Sequence, residues 1–402
     1  MKIKTKYSIL LAVLLGFNVA ACTQYSVKTP SIQNSSENTP KSGFVFEFID
    51  IGFHNGLARV KINNKWGFID KKGILVIPAI YEHADIFSDD LAKVTINDKK
   101  WGFINKKGEM VISAKENWES VGRFSDGLAS VTINKKQGCI DKSGKLVIPA
   151  QYDDICHFSF DTEKIFSEDL GKVKINNKCG FFDKTGKLVI SAQYDKVENF
   201  FNGLAKVKIN NKWGFINKKG ELVIPAQYNE GDISNFSDNL ARIKIDKKYG
   251  FIDKTGQLVI SAKYDFASDF YNDLAAVKIN NKWGFISKKG KLVIPAQYDF
   301  LSNFSDDLAQ VMINEKFGYI NKSGQLVIPA KYDETYSFSN GLAKVKINGK
   351  YGFINKKGEW IIPAKYDLLG IFSDDLVAVT ITDTQGGFID KTGKMVFTFE
   401  TY

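Results

Sequence analysis

The chain has 402 residues, 44% of them hydrophobic and 25% charged, and its 55 basic side chains outnumber 45 acidic ones. Such a length can hold two or three ordinary domains, and that apolar content fits a folded chain better than a disordered one. Arginine is confined to Arg59, Arg123 and Arg242, and phosphate or base readout favours the guanidinium fork, so no nucleic-acid partner is expected despite the +10 net charge.

The first element in chain order is a leader. Met1-Lys2-Ile3-Lys4-Thr5-Lys6 is basic, and Ile9 to Phe17 is an apolar run too short to span a bilayer as a lone helix. Val19-Ala20-Ala21-Cys22 then resembles the bacterial lipoprotein signal. That resemblance implies removal of residues 1–21, diacylglycerol on Cys22, and a membrane partner reached through this lipid. Thr23, which is not Asp, implies the outer membrane of the cell envelope, with the side it faces left open. Loss of Lys2, Lys4 and Lys6 would leave 52 basic against 45 acidic side chains, a balance of +7. Residues 22–43 are rich in Ser, Thr, Asn and Pro and read as a flexible tether.

Residues 44–402 repeat one phrase ten times: Phe, a polar turn, Leu-Ala, a short strand, then aromatic-Gly-Phe-Ile-Asp/Asn-Lys-x-Gly. Counting on the Gly after the aromatic, from Gly67 to Gly387, nine intervals over 320 residues give a period near 35.6, the spacing of a repeat architecture. Leu204–Ile209 alternates as one strand (here the Leu-Ala strand), Trp213–Ile216 is a second (the Trp-Gly strand), and Leu222–Ile224 a third (the Leu-Val strand). Tyr228 to Phe236 supplies a weak fourth, which hairpins through Ser237-Asp238-Asn239 into the next Leu-Ala strand. Pro78, Pro149, Pro225, Pro295, Pro329 and Pro363 close the third strand or mark an unpaired edge. Phe215 and Ile216 point to opposite faces, yet both places are apolar in every unit, so both faces should be buried against neighbouring units. Phe44-Val45-Phe46-Glu47-Phe48 reads as a strand capping the first unit, and Met395 to Phe399 as the end of the last.

Lys65-Trp66-Gly67-Phe68-Ile69-Asp70-Lys71, with Lys212 to Lys218 and Lys282 to Lys288, resembles the bacterial WG-repeat (KWG) family over nearly nine tenths of the chain. The resemblance implies an all-β tandem array of antiparallel meanders, as an open superhelical solenoid or a propeller-like ring. Ten units exceed the usual four to eight blades of a closed propeller, which favours the superhelix. Gln137, Cys179 and Gly386 replace the aromatic in three units, so that place should be only partly buried.

Candidate chemistry is sparse. Asp-Lys-Thr-Gly at Asp183, Asp253 and Asp390 matches the phosphorylated tetrapeptide of ion pumps, but Asn217 and Ser287 stand at the same place and a turn explains all of them. Acidic pairs such as Asp89-Asp90 alternate with Asn202-Gly203, as hairpin turns allow, so calcium is not expected. His54, His83 and His157 share no ligand spacing, and no metal or cofactor is expected. Besides Cys22 there are Cys139, Cys156 and Cys179, an odd number that allows one disulfide at most and reads as packing. Two cationic rows stand out on the Leu-Ala strands: Arg59, Lys172, Lys206, Arg242 and Lys344, joined by Lys93, and two residues on, Lys61, Lys174, Lys208, Lys244, Lys278 and Lys346. In register they would form a basic ladder, either a solvated face that resists edge pairing or a surface for an anionic envelope polysaccharide or protein. The expected function is a non-catalytic, lipid-anchored binding scaffold. The alternative is a hydrolase or carbohydrate-active site at the irregular insertion around Cys156-His157, where the interval stretches from Gly138 to Gly180.

Overall fold

The computed structural model describes residues 44–96, 100–155 and 165–400. They form ten four-stranded sheets, one per unit, with no helix among them. The fifth unit shows the pattern: a short strand Lys196–Val197, the Leu-Ala strand Leu204–Ile209, the Trp-Gly strand Lys212–Asn217 and the Leu-Val strand Leu222–Tyr228, paired in that order. The weak fourth strand therefore exists, and it belongs to the sheet that follows it. The Leu-Val strand runs past its proline to the tyrosine, so Pro225 lies inside it, on an edge where a missing N–H breaks no ladder.

The turns follow from their residues. Asn210-Asn211 take φ of 49° and 66°, the left-handed pair of a two-residue hairpin whose twist matches the strands it joins. Asp89-Asp90 and Asp306-Asp307 do the same between the short and Leu-Ala strands, so the acidic pairs are hairpin corners. In the Asp-Lys-Thr-Gly turn, Asp183 Oδ1 accepts from the amides of Thr185 and Lys187, at 2.9 and 3.1 Å, and from the Thr185 hydroxyl. The hydroxyl bond first, with these amides, holds its carboxyl below the usual range, as a ground-state turn residue. The Trp-Gly glycine has another cause. A Cβ on Gly214 would stand 2.5 Å from the Ile224 carbonyl oxygen, where the Leu-Val strand bulges inward.

Stacking is staggered. The short strand of each unit lies over the Trp-Gly strand of the unit before, and the Leu-Ala strand over its Leu-Val strand. Hence one residue, Glu82, suffices to link Tyr81 to His83 in the next sheet. Phe215 packs with Ile224 and Phe236 towards the next unit, while Ile216 joins Phe181 and Ile190 of the previous one. Both are fully buried, so the interior lies between units and not within any one of them. The turn glycines complete these interfaces: Gly108 lies against Ile77, Gly220 against Ile190 and Gly358 against Ile328, each in the preceding unit.

The array closes on itself. Phe44–Val45 pairs in parallel with Met395–Glu400 and completes the tenth sheet, while Gly73 of the first unit meets Phe397 of the tenth. Phe46, Phe53, Val60 and Ile69 share one core with Phe388, Phe397 and Phe399. The result is a single propeller-like ring of ten units, not the elongated superhelix that the unit count favours. The two terminal strands are not caps on free ends, because each covers the other.

Candidate functional site

Face-to-face stacking decides what the cationic rows do. Alternate residues of a Leu-Ala strand point at the next unit, so the rows enter the junctions and do not form an open sheet face. In the first row, Lys172, Lys206 and Lys344 are buried and Arg59 and Arg242 half-buried. Arg59 Nη1 donates to the Ala84 carbonyl at 2.9 Å, Arg242 Nη1 to Ala267 at 2.7 Å, Lys93 Nζ to Val121 at 3.2 Å and Lys344 Nζ to Leu369 at 3.0 Å. Each acceptor lies on the short-strand segment of the following unit. Gln310 stands at the same place in the eighth unit, and its amide, turned to satisfy its neighbours, donates to the Thr335 carbonyl at 2.9 Å. Through Arg59, Lys93, Arg242 and Lys344 this row ties unit to unit, with its side chains inside the junctions and not on an open sheet face.

Lys344 feels the confinement most. Its ammonium lies 4.0 Å from the Tyr336 ring centre, and burial pushes its pKa down to about 8 against the pull of Glu334. Burial alone would raise Glu334, but bonds from Lys346 and Tyr351 more than offset it and hold the carboxyl below its ordinary range.

The second row reaches the rim where the Asn-Asn hairpins turn, and all six lysines are half-buried there. Antiparallel register puts each opposite the residue before the Trp-Gly glycine: Lys61 opposite Trp66, Lys208 opposite Trp213, Lys244 opposite Tyr249, Lys278 opposite Trp283, Lys346 opposite Tyr351 and Lys174 opposite Cys179. The five with an aromatic partner hold Nζ between 4.9 and 5.8 Å from its ring centre, within cation–π range. Lys208 also pairs with Glu230 at 3.0 Å and Lys346 with Glu334 at 2.8 Å.

A third residue joins each row from the short strand, and the sequence pattern did not single it out. Phe48 sits across from Lys61, Lys196 from Lys208, Phe266 from Lys278, Phe300 from Met312 and Glu334 from Lys346. The available signal was variability: this place changes character from unit to unit while the Leu, Phe and Gly scaffold does not. In the seventh unit the row opens into a cleft of about 470 Å³ lined by Asp265, Phe266, Lys278, Asn281 and Trp283.

The aromatic place itself is half-buried in most units, with Trp213 and Tyr351 buried. Cys139 and Cys179 are buried, and burial raises the Cys139 thiol to about 12, which suits packing and not nucleophilic work. Cys22, Cys156 and His157 lie outside the described residues. Among the described residues no three His, Cys, Asp or Glu side chains converge as a metal site would need.

Solved structures offer broad likeness only. A eukaryotic initiation factor matches at 13% identity over 85% of this chain and 94% of its own, with a TM-score of 0.46. BamB from Moraxella catarrhalis matches at 10% over 76% and 92%, with 0.31, and AztD from Citrobacter koseri at 12% over 79% and 93%, with 0.33. No curated protein matches by sequence. The WG containing repeat, in contrast, matches ten times in succession, at 43–66, 66–99, 101–136, 138–179, 180–213, 213–249, 249–283, 283–317, 317–351 and 351–383. With one sheet for each match, this chain belongs to the WG-repeat family.

Proposed function

We propose that the ring is the non-catalytic binding body of a bacterial envelope lipoprotein, held at the outer membrane through Cys22 and presenting its hairpin rim to an anionic polysaccharide or an acidic protein surface. The observation that carries this reading is the second cationic row. Lys61, Lys174, Lys208, Lys244, Lys278 and Lys346 recur at one register place, half-buried at the rim, five of them beside an aromatic ring. Charges repeated on a rigid ring sum their fields and engage a repeating polymer at several places together, which multiplies weak contacts. Both rims carry local ion pairs: Lys106, Lys184, Lys322 and Lys391 pair with Asp90, Asp169, Asp307 and Asp375 on the opposite rim, and Lys136, Lys178, Lys316 and Lys350 with Asp153, Asp195, Asp333 and Asp367 on the hairpin rim. The reading therefore rests on the repeat of lysine beside aromatic at one register place and not on a difference in charge balance.

The test is retention of the purified chain on an immobilised acidic polysaccharide. Changing Lys208, Lys244, Lys278 and Lys346 to Glu should abolish retention, and rising salt should weaken it for the parent. Retention that survives the four changes would refute the rim as the binding surface. For the anchor, Cys22→Ser should shift the protein from the membrane fraction to the soluble one.

A further inference from the structure

The cleft of the seventh unit is not a plain copy of the others. Phe266 is 39% exposed and lies between two further rings. It meets Trp283 edge-on with centres 5.4 Å apart, and Tyr249 of the sixth unit at 5.3 Å. A continuous aromatic strip therefore crosses a unit boundary. Three cations border it: Arg242 lies 5.4 Å from the Tyr249 centre, Lys244 5.5 Å from the same ring, and Lys278 5.8 Å from Trp283. Asp265 and Asn281, both exposed, add an acceptor and an amide to the same cleft.

These groups restrict the ligand. An aromatic face is electron-rich and takes the weakly positive C–H groups of a sugar ring, whereas a bare inorganic anion gains nothing from it. Asp265 is an ionised acceptor: the Lys248 ammonium bonded to it holds its carboxyl below the usual range, and it also accepts from the Asn280 amide at 2.9 Å. A carboxylate has about four lone-pair sites, so capacity remains for hydroxyl donors. Sugars supply such donors, while a phosphodiester backbone presents acceptors that Asp265 would repel. The lysines in turn favour a ligand that carries its own negative charge.

We infer that this cleft, with Phe266 as the platform, Lys278 as the counter-charge and Asp265 and Asn281 as hydroxyl partners, binds one or two residues of a uronic-acid-containing saccharide. The inference rests on the scaffold reading above and narrows it to one subsite.

Calorimetric titration of the full chain with oligogalacturonate, a neutral oligoglucan and a single-stranded oligodeoxynucleotide tests it. Phe266→Ala should weaken oligogalacturonate about tenfold, the scale of losing one well-placed aromatic anchor. Lys278→Gln should weaken oligogalacturonate at low salt and leave the oligoglucan unaffected. Phe300→Ala, in the neighbouring row that has Met312 in place of a lysine, should change neither. Because Phe266 and Lys278 are partly exposed, thermal unfolding should move little in either variant. Parent-like titration by both variants would remove this cleft and leave the wider rim reading standing. A parent chain that binds no acidic polysaccharide would remove both. Equal affinity for the oligoglucan, or tighter binding of the oligonucleotide, would overturn the assignment of ligand class.

Discussion

Nine junctions in the ring are crossed by the chain directly from a Leu-Val strand; the tenth is crossed from Phe44–Val45, which only pairs beside Met395–Glu400, and it is built with larger side chains. At a covalent junction such as that between the fourth and fifth units, Phe181, Ile190 and Tyr194 meet Ala205, Val207 and Ile216. At the closing junction Phe397 takes the place of the isoleucine and Phe399 stands nearby, against Phe46 and Phe53. Phe388 and Phe397 stack with centres 5.1 Å apart. The smaller contacts recur at this junction: Ser373 Oγ donates to the Phe53 carbonyl at 2.7 Å as Ser305 does to Phe338 at 2.6 Å, and Asp374 accepts from the Gly56 amide as Asp306 does from Gly341. Thr398 stands where six units have proline, so the edge of that Leu-Val strand keeps an N–H while it takes Phe44–Val45 as a parallel partner. The side-chain contacts of closure are thus of the ordinary kind, and the parallel strand pair is what is particular to it. Closure repeats the ordinary junction with added aromatic bulk, and one parallel strand pair, Phe44 with Phe399 and Val45 with Glu400, stands in for the missing peptide link inside the tenth sheet.

The comparison breaks first at Phe397. Phe397→Ala should cost about 3–5 kcal/mol by cavity formation, as Phe215→Ala should at a covalent junction. Only the former should also speed amide exchange in both Phe46–Ile49 and Met395–Glu400, measured by hydrogen exchange with mass spectrometry. The same exchange pattern in both variants would mean that the seam is no weaker than any other junction.

Glycine sharpens it next. Gly73 and Gly220 share φ near +80°, at 78° and 81°, so alanine brings similar backbone strain to each. The new Cβ meets the Phe397 ring at 2.8 Å in one and Ile190 Cγ2 at 3.2 Å in the other. Gly73→Ala should therefore lose roughly 1–2 kcal/mol more than Gly220→Ala in denaturant unfolding, the scale of overpacking.

The smallest effect compares two covalent junctions. Lys344 has a pKa near 8 in the fold and an ordinary one of 10.5 when unfolded. Between those values the unfolded chain holds the extra proton, so this group makes stability rise with pH across that window, and its burial cost is fully present below it. Lys344→Gln, which copies Gln310, keeps a donor for Leu369 without the charge. Relative to the parent, the variant should be more stable at pH 7, and that advantage should shrink between pH 8 and 10.5 in thermal melts. Tyr336 and Tyr351, both raised chiefly by burial, titrate above this window.

Much of the ring was legible in the residues because its rules are local. Asn-Asn and Asp-Asp pairs announce two-residue hairpins, the turn glycine announces a left-handed φ, and apolar residues on both faces of Phe215-Ile216 announce units buried on two sides. The candidate site was legible only in part. Both cationic rows alternate identically along the strand, and nothing local shows that Lys206 ends beneath the next unit while Lys208 reaches the rim. Phe266 was missed because its two-residue strand, Phe266–Ala267, carries almost no periodicity.

The unit, its four strands, its turns and the number of copies follow from the residues alone, since each depends on backbone preferences and side-chain alternation over a few residues. That ten units make a ring, which cations are buried, and that Tyr249, Phe266 and Trp283 form one strip emerge at the level of packing between units. Those outcomes depend on how far each sheet is shifted and turned relative to the last, a sum over the whole chain that no single repeat contains.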